Sequence, residues 1–298
     1  MKLARKIGIG LFATGSVIVI ASLILIWWFG AWNLLFPKHA YESTPPEIAE
    51  SFGEESQLRV LSFSKTNSFR HHDGIQGAQT LFGELAAKRD WALLQTENGA
   101  VFDAEHLARF DVVVFTNASG DTLSDKQDLA FQKWLEDGGG WVGIHAAGDG
   151  SHSEWTWYQD NLLGGAFIGH IMGPQTQQAR VVVENRTHPV TKGLPADFSH
   201  SEEWYSWDSS ARTHGFDVLL TVDESSYSPF VKGLGPERDV RMSDHPIVWS
   251  RCIGNGRAIY SAMGHWAAAF EDPNHARLLE NAIEWAGDES ASDCVGQH

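Results

Sequence analysis

Three histidines follow predicted strands at corresponding positions along the chain. His71 comes after the first strand, His145 after the fourth and His265 after the last, and Asn117 follows the third strand. Ligands of an open parallel sheet bind in the crevice beyond the carboxyl ends of its strands. We therefore expect the imidazoles to share one polar site at this edge of the sheet. Asn117 either lines the same crevice or caps the helix that follows it.

His145 stands at the centre of a turn that usually carries a nucleophile. The segment Gly143–Ala147 places small residues on both sides of one side chain, as in a nucleophile elbow, but that side chain is a histidine. An imidazole transfers protons or binds a metal ion. Cys252 lies in a predicted strand and Cys294 in the C-terminal tail, which argues against cysteine-dependent amidotransferase or protease chemistry. The two cysteines can pair if the domain lies outside the cytoplasm, but the sequence does not fix their distance.

Aromatic and acidic side chains are interleaved in two further stretches. Glu202 and Glu203 precede Tyr205, and residues 155–170 combine two tryptophans with a glycine-rich run. Aromatic faces and carboxylate oxygens together suit a polyhydroxylated ligand, although each tryptophan is explained equally well by core packing. Because neighbouring residues of a strand point to opposite faces, Glu202 and Glu203 do not form the facing pair of an ordinary glycosidase.

These residues lie in a chain that alternates short buried runs with helical stretches from Leu58 onward. This alternation predicts βαβ units, a mostly parallel sheet and an α/β fold in one domain. Ser124 and Gln127 have the spacing of a capping box, which places the start of a helix there. The predicted strands are Leu58–Phe63, Trp91–Thr96, Asp111–Thr116, Trp141–Ala146, Ala179–Glu184, Asp217–Val222, Ile247–Ser250 and Ala258–Ala262, and the predicted helices are Gly74–Lys88, Ser124–Glu136 and Pro273–Ala286.

The N-terminal segment differs in composition from the rest of the chain. The first 40 residues carry four basic side chains and no acidic one, whereas the whole chain has a formal net charge of −16. As a helix, the uncharged run from Ile9 to Phe29 is about 31 Å long, which matches a hydrocarbon core of about 30 Å and is too long for a cleaved signal peptide. Basic residues before the run place the N-terminus in the cytoplasm and the acidic domain outside it. We expect a single-pass membrane anchor in residues 1–36 (transmembrane helix about 9–29), a linker in 37–56, a folded domain in 57–287 and a tail in 288–298.

Short motifs occur in an order that resembles the ThuA family (trehalose utilisation protein A-like). They are Phe69-Arg70-His71, the Gly143–Ala147 turn, Trp155-x-Trp157-Tyr158 with Leu162-Leu-Gly-Gly-x-Phe-x-Gly-His170, His188-Pro189, Glu203-x-Tyr205, and Gly256-Arg257 with Gly264-His265. The resemblance covers about residues 57–287. It implies a flavodoxin-like, class I glutamine amidotransferase-like three-layer sandwich that lacks the amidotransferase cysteine. It also implies a role in disaccharide or glycoside catabolism, beside oxidoreductases that make 3-keto sugars.

Two positions depart from the family pattern. Glu202 stands where Asp is usual, which keeps the carboxylate. His71 and His72 stand in tandem where a single histidine is usual, so the sequence leaves open which of them faces the site.

The resemblance predicts a hydrolase or lyase that acts on glycosides or keto-glycosides by acid–base chemistry. The catalytic candidates are His145, Glu203 and His265. The substrate-binding candidates are Arg70, His71, Asn117, Trp155, Trp157, His170, Glu202, Tyr205 and Trp266. A divalent metal is a candidate cofactor, with His71, His145, His170 and His265 as candidate ligands.

Two alternative functions remain open at this point. One is a non-catalytic carbohydrate-binding or scaffold module, and the other is a metal-dependent hydrolase acting on a non-sugar substrate. The expected partners are a small sugar and, through the N-terminal helix, a membrane, whereas the acidic net charge argues against nucleic acid because it repels phosphates. The histidines expected at the surface or in linkers are His39, His106, His152, His200, His214, His275 and His298.

Overall fold

The computed structural model describes residues 2–36, 41–152, 154–233, 235–288 and Cys294, with the backbone alone for 2–11. Parts of the predicted linker and tail, including His39 and His298, lie outside these residues. The helices are α1 (Lys2–Trp28), α2 (Trp32–Leu35), α3 (His72–Arg89), α4 (Ala104–Leu107), α5 (Asp125–Glu136), α6 (Thr156–Tyr158), α7 (Ala267–Glu271) and α8 (Pro273–Ala286). The strands are β1 (Leu58–Phe63), β2 (Trp91–Thr96), β3 (Val112–Thr116), β4 (Gly140–Ile144), β5 (Phe167–His170), β6 (Gln177–Val183), β7 (Asp197–Glu202), β8 (Tyr205–Trp207), β9 (Asp217–Val222), β10 (Phe230–Val231), β11 (Arg238–Asp239), β12 (Pro246–Ile253) and β13 (Gly256–Ser261).

Nine strands form one mixed sheet in the order β2-β1-β3-β4-β13-β12-β9-β6-β7. The strands from β2 to β13 in this order pair in parallel, and the remaining neighbours pair antiparallel. Two small sheets pair β5 with β8 and β10 with β11. The predicted α/β class is confirmed, and the parallel half contains β1, β3 and β4, whose ends carry the candidate site residues.

Helices cover both faces of the parallel half. Phe131 of α5 packs on Phe115 of β3, with ring centroids 5.3 Å apart. Val112 lies an odd number of residues before Phe115 and therefore points to the opposite face. There it lies against Gly287, which follows α8. The sheet thus forms the middle layer of a three-layer sandwich, with apolar side chains buried on both of its faces. This burial stabilises the fold by roughly 25 cal/mol for each Å² of apolar surface removed from water.

The predicted elements of the first half agree closely with the structure. The strands Leu58–Phe63 and Trp91–Thr96 have the predicted bounds. The capping box is formed, because Gln127 Oε1 accepts hydrogen bonds from the backbone and the side chain of Ser124. The strand predicted over Trp141–Ala146 ends earlier, at Ile144, because His145 has a left-handed φ of 48° that does not continue a strand.

A disulfide joins Cys252 of β12 to Cys294. The sequence left this pairing open. The bond ties the C-terminal tail to the sheet and restricts the unfolded chain, which stabilises the fold.

The N-terminal helix forms over the region of the predicted anchor. Beyond its end, the Gly30 carbonyl accepts a hydrogen bond from the Arg70 N–H at 2.9 Å, and Asn33 Nδ2 donates to the Thr66 carbonyl at 2.8 Å. Within the described part of the chain, no helix has the length and apolarity needed to cross a bilayer. The predicted transmembrane helix is therefore not supported here, and membrane attachment stays a prediction.

Candidate functional site

Loops that follow four strands of the main sheet bring three histidines and a glutamate together. His71 lies between β1 and α3, His145 follows β4, Glu203 follows β7 and His265 follows β13. One nitrogen or oxygen atom from each residue lies within 4.8 Å of the others, and all four residues are buried. We call these four residues the His/Glu cluster.

Glu203 stands at the centre of the His/Glu cluster. Its Oε2 lies 3.0 Å from His265 Nδ1, 3.4 Å from His145 Nε2 and 4.0 Å from His71 Nε2. One carboxylate oxygen therefore faces a ring nitrogen of each of the three histidines.

The other oxygen of Glu203 faces two side chains outside the cluster. Glu203 Oε1 accepts a hydrogen bond from Gln175 Nε2 at 2.6 Å and lies 3.1 Å from His170 Nδ1. The His170 side chain is 29% exposed, and its Nδ1 also lies 2.8 Å from the Ile171 carbonyl. His170, a predicted metal ligand, is thus placed at the edge of the cluster rather than among its four members.

Backbone conformation and one hydrogen bond fix the imidazole of His145. The left-handed φ turns the chain out of β4 into the 3₁₀ turn His145–Gly148. His145 Nδ1 lies 2.8 Å from the Ala262 carbonyl, and because a carbonyl only accepts, Nδ1 carries the proton. In the neutral ring Nε2 then carries the lone pair, 3.2 Å from His265 Nδ1. The elbow therefore presents a ring nitrogen to the cluster.

Glu202 holds the backbone of two cluster residues. It is fully buried, and its carboxylate accepts hydrogen bonds from the backbone N–H groups of Gly264 at 2.7 Å, His265 at 3.2 Å and Glu203 at 2.9 Å. His200 Nε2 lies 3.6 Å from it. The sequence placed Glu202 among the substrate-binding residues, whereas its contacts here are with the protein itself.

Asn117 and Gly74 fix the loops around the cluster. Asn117 Nδ2 donates to the Gly264 carbonyl at 3.1 Å, and its Oδ1 accepts from the Ala146 N–H at 3.2 Å, so one amide joins the loops that carry His145 and His265. A Cβ at Gly74 would lie 2.7 Å from the His265 carbonyl. Only glycine lets α3, which starts next to His71, approach this closely.

Burial and the two carboxylates set the charges in the cluster. Burial lowers the pKa of His71 well below its usual value, and the charges of His145 and His265 act in the same direction. Burial also opposes a charge on His145, but the hydrogen bond to Glu203 and the charge of Glu202 raise its pKa overall. Burial favours protonation of Glu203, yet hydrogen bonds from His145 and His265 hold its pKa far below the usual range. The cluster thus combines a carboxylate anion, a neutral His71 and a His145 that tends to hold a proton.

The donor atoms of the His/Glu cluster fit a divalent cation. Three imidazole nitrogens and one carboxylate oxygen converge, which is a set that zinc and related ions bind in proteins. His71 Nδ1 is buried without a hydrogen-bond partner, and its Nε2 is 4.0 Å from Glu203. A cation between the four side chains would meet His71 through Nε2, the nitrogen that faces Glu203.

Two predicted binding residues pack on cluster histidines. The ring of Tyr205 lies 4.2 Å from that of His145, and the ring of Trp266 lies 4.5 Å from that of His265. Tyr205 is buried, whereas Trp266 is 42% exposed. Of these two, Trp266 is the one that is available to a ligand from solvent.

Arg70 and His72 lie beside the cluster but bind other groups. Arg70 Nη2 donates to Glu97 at 2.6 Å, and its Nε donates to His72 Nδ1 at 3.3 Å. His72 is exposed at the start of α3. His71 is therefore the member of the tandem pair that faces the cluster.

Trp155 and Trp157 are not brought to the cluster. Their rings stack 5.6 Å apart, and Trp155 packs edge-on against Phe131 of the core. Both line a cavity of ≈ 580 Å³ together with Asp121, Asp125, Asp128 and Glu154, and no member of the His/Glu cluster lines it. The structure thus separates two predicted substrate-binding residues from the predicted catalytic ones.

Three of the seven histidines expected at the surface or in linkers are buried, so the prediction was wrong for these three. His152 Nε2 bonds the Ala118 carbonyl at 3.1 Å, and His275 Nδ1 bonds the Ala269 carbonyl at 2.9 Å. His200 lies between Glu202 and Asp272, and Asp272 Oδ2 is 3.5 Å from its Nδ1. His200 is buried because alternate residues of β7 up to Glu202 point inward.

The fold and the site define an α/β sandwich with a buried histidine–carboxylate centre at the strand ends. The chain belongs to the ThuA (trehalose utilisation) family, which matches residues 59–286, so the resemblance seen in the motifs is confirmed. It is similar to a solved ThuA-like protein from Bacteroides uniformis, with 32% identity, a TM-score of 0.67, and coverage of 82% of this chain and 95% of that one. A ThuA-like protein from Parabacteroides merdae is similar at 18% identity and a TM-score of 0.55, covering 80% and 93% of the two chains. No curated protein matches the chain.

Proposed function

We propose that this ThuA-family chain is a hydrolase or lyase of glycoside catabolism whose reacting groups belong to the His/Glu cluster. The observation that carries the proposal is the convergence of four buried acid–base side chains from four separate loops. The family description, trehalose utilisation, supports a sugar substrate. Both cysteines are bound in the disulfide, which agrees with chemistry that needs no thiol.

A keto-glycoside is the substrate that suits these groups best. A ring ketone makes the neighbouring C–H acidic enough for an imidazole to remove its proton. In our proposal the neutral His71 accepts this proton, and the C–H electron pair forms a C=C bond as the glycosidic C–O bond on the next carbon breaks. His145 gives its proton to the departing oxygen. Groups whose surroundings drive their pKa values apart are suited to such a division into base and acid.

As an alternative to the proton-transfer roles, the same side chains are the candidate ligands of a divalent cation, because a ring nitrogen that binds a cation cannot also accept or give a proton. His71, His145, His265 and Glu203 would hold it through the four convergent atoms. A bound cation would supply Lewis-acid polarisation of a substrate oxygen. Metal analysis of the purified full chain, before and after dialysis against a chelator, tests this part: a stoichiometric metal supports it, and a metal-free protein with full turnover contradicts it.

Turnover of keto-glycosides by matched histidine variants tests the catalytic proposal. We expect His145→Ala to lose turnover by at least about 100-fold, as general acid–base catalysis contributes about 10²–10⁴-fold. His214→Ala is the control, because His214 is exposed and bonds Ser209 rather than the cluster. Full activity of the His145→Ala protein contradicts the proposal.

A carbohydrate-binding module is the competing function. The stacked tryptophans and carboxylates of the separate cavity favour it, since they suit a sugar without any contribution from the histidines. Glycan binding that is unchanged in His145→Ala, with no turnover by either protein, supports the module against the enzyme.

We also propose that the N-terminal helix attaches the chain to a membrane, with the N-terminus in the cytoplasm and the domain outside it. The described part of α1 exposes large apolar side chains such as Phe12, Val17 and Ile18, and basic residues precede them. The Cys252–Cys294 disulfide is of a kind that persists in oxidising compartments. Membrane fractions washed with carbonate should retain the full chain but release a chain without residues 1–36. Recovery of the full chain in the wash contradicts the attachment.

A further inference from the structure

Exposed large apolar side chains of the domain lie next to the candidate site. Beyond residue 36, the described residues include four: Tyr41, Leu129, Ile168 and Trp266. Ile168 lies two residues before His170, and Trp266 directly follows His265. Trp266 thus packs on a residue of the His/Glu cluster, and Ile168 lies in the same short strand as His170 at its edge.

A second exposed apolar group docks beside the same site. We call Trp27, Trp28, Phe29, Leu34, Leu35 and Phe36 the apolar rim; their exposed fractions run from 48% to 71%. Trp27 and Trp28 end α1, Leu34 and Leu35 end α2, and Phe29 and Phe36 directly follow these two helices.

Three contacts fix the apolar rim against the loop that carries His71. Gly30 and Asn33, which lie between rim residues, bond the backbone of Arg70 and Thr66. The ring of Trp27 lies 6.2 Å from that of His72. Gly30 has a φ of 75°, and a Cβ there would overlap the Arg70 carbonyl, so the approach requires glycine. The rim is thus held in one orientation relative to the site.

The composition of the rim indicates the interface of a lipid bilayer. Tryptophan and phenylalanine at the end of an apolar helix are typical of the headgroup level, where an amphipathic ring meets both water and hydrocarbon. The rim continues directly from the uncharged run of α1, which basic residues precede. A contiguous apolar surface of this kind, left in water, marks an interaction site.

We propose that the apolar rim lies in the headgroup region of a bilayer and turns the Ile168–Trp266 edge of the candidate site towards the lipid surface. The proposal rests on the membrane attachment proposed above and goes beyond it, because it specifies which face of the domain meets the bilayer. It does not depend on the reaction that the cluster performs.

Site-specific labels in full-length protein, reconstituted into phosphatidylcholine–phosphatidylglycerol vesicles, test the orientation. Both native cysteines are in the disulfide, so an introduced cysteine is the reactive one. A fluorophore on Ile168→Cys reports the proposed membrane-facing edge, and one on Leu129→Cys, which is exposed and lines the separate cavity, is the matched control. We expect a quencher attached to the lipid headgroups to reduce the emission of the label at 168 at least twofold more than that of the label at 129.

Flotation of the same vesicles separates the two proposals. A chain that does not float contradicts the membrane attachment and the orientation together. A chain that floats but shows equal quenching at the two positions overturns the orientation alone. A label at 168 that is shielded by a second copy of the chain, and not quenched by lipid, also overturns the orientation.

A rim variant tests whether docking sets the orientation. Gly30→Val should disrupt the contact with Arg70, so that the label at 168 is quenched no more strongly than the label at 129. The variant should still float with the vesicles, and its domain should keep its melting temperature. Unchanged quenching in this variant contradicts the proposal that the docked rim holds the domain.

Discussion

Replacing Glu202 by glutamine removes the carboxylate that holds the backbone of Glu203 and His265. Burial alone raises the pKa of Glu202, but His200, His145 and the Gly264 N–H lower it to about 2. Against an ordinary value near 4.5, this corresponds to about 3 kcal/mol of stability at pH 7. The contribution is present above pH 4.5 and is lost as the pH falls through 2.

Glutamine keeps the shape of the side chain but converts one acceptor into a donor. Glu202 Oε1 accepts from His265 and Glu203, and Oε2 accepts from Gly264, so either orientation of the amide sets its NH₂ against a backbone N–H. The substitution also removes the buried anion next to His200. We therefore expect the free energy of unfolding at pH 7 to fall by about 3 kcal/mol or more.

Urea denaturation followed by tryptophan fluorescence measures the effect of Glu202→Gln. Glu237→Gln is the control, because Glu237 is an exposed acid 3.8 Å from Lys232 and should change stability by less than about 0.5 kcal/mol. The difference between wild type and Glu202→Gln should narrow as the pH falls below 4.5. A loss of less than about 1 kcal/mol at pH 7, or a difference that stays constant on acidification, refutes the role assigned to the carboxylate.

Three further predictions follow from the same contacts. Replacing Cys252 and Cys294 by serine should lower the free energy of unfolding by about 4 kcal/mol, since the bond closes a loop with a sequence separation of 42; a change below about 1 kcal/mol in thermal denaturation contradicts this. Burial lowers the pKa values of His152 and His275 to about 4, so between pH 6.5 and 4 the unfolded chain binds protons that the folded chain does not. Each histidine should therefore lower the free energy of unfolding by up to about 3 kcal/mol as the pH falls from 6.5 to 4. Urea denaturation midpoints that stay constant over this pH range contradict the prediction. Glu203→Gln should weaken zinc binding at least about 100-fold in competition with a chelator, and an unchanged affinity would show that the cluster is not the metal site.

The separation of the aromatic pair from the cluster changes how the ThuA motifs are understood. The motif order indicates one substrate site, yet Trp155 and Trp157 line a cavity that the cluster does not share. Asn117 and Glu202 belong to the site in a different way, because they bond the backbone of the loops around the cluster. Residues of the predicted site thus position its loops as well as face a ligand.

The parallel half of the fold is predictable because each strand is a short run rich in apolar residues and bounded by turns or helical stretches. β1 and β2 have the predicted bounds for this reason, and α8 does too, since Asp272 caps its start and apolar residues recur at helical spacing. β7 was missed because it is half polar: Asp197–Glu202 alternates exposed and buried residues, and its inward side chains include a histidine and a glutamate. Burial of polar groups depends on partners that lie far away in the sequence, which local patterns do not contain.

The sequence by itself determined the α/β class, the family, and the three histidines at strand ends, because strand periodicity and the topology of parallel sheets place those ends at one edge. Only the tertiary structure decided that Glu203 stands between the three imidazoles and that His71 rather than His72 belongs to the cluster. It also placed His170 at the edge of the cluster. Only the tertiary structure, likewise, showed that Gln175 bonds Glu203 and that His200 lies between Glu202 and Asp272. These contacts join residues that are brought together by chain folding, and their geometry is set by distances of a few ångströms that no spacing along the chain encodes.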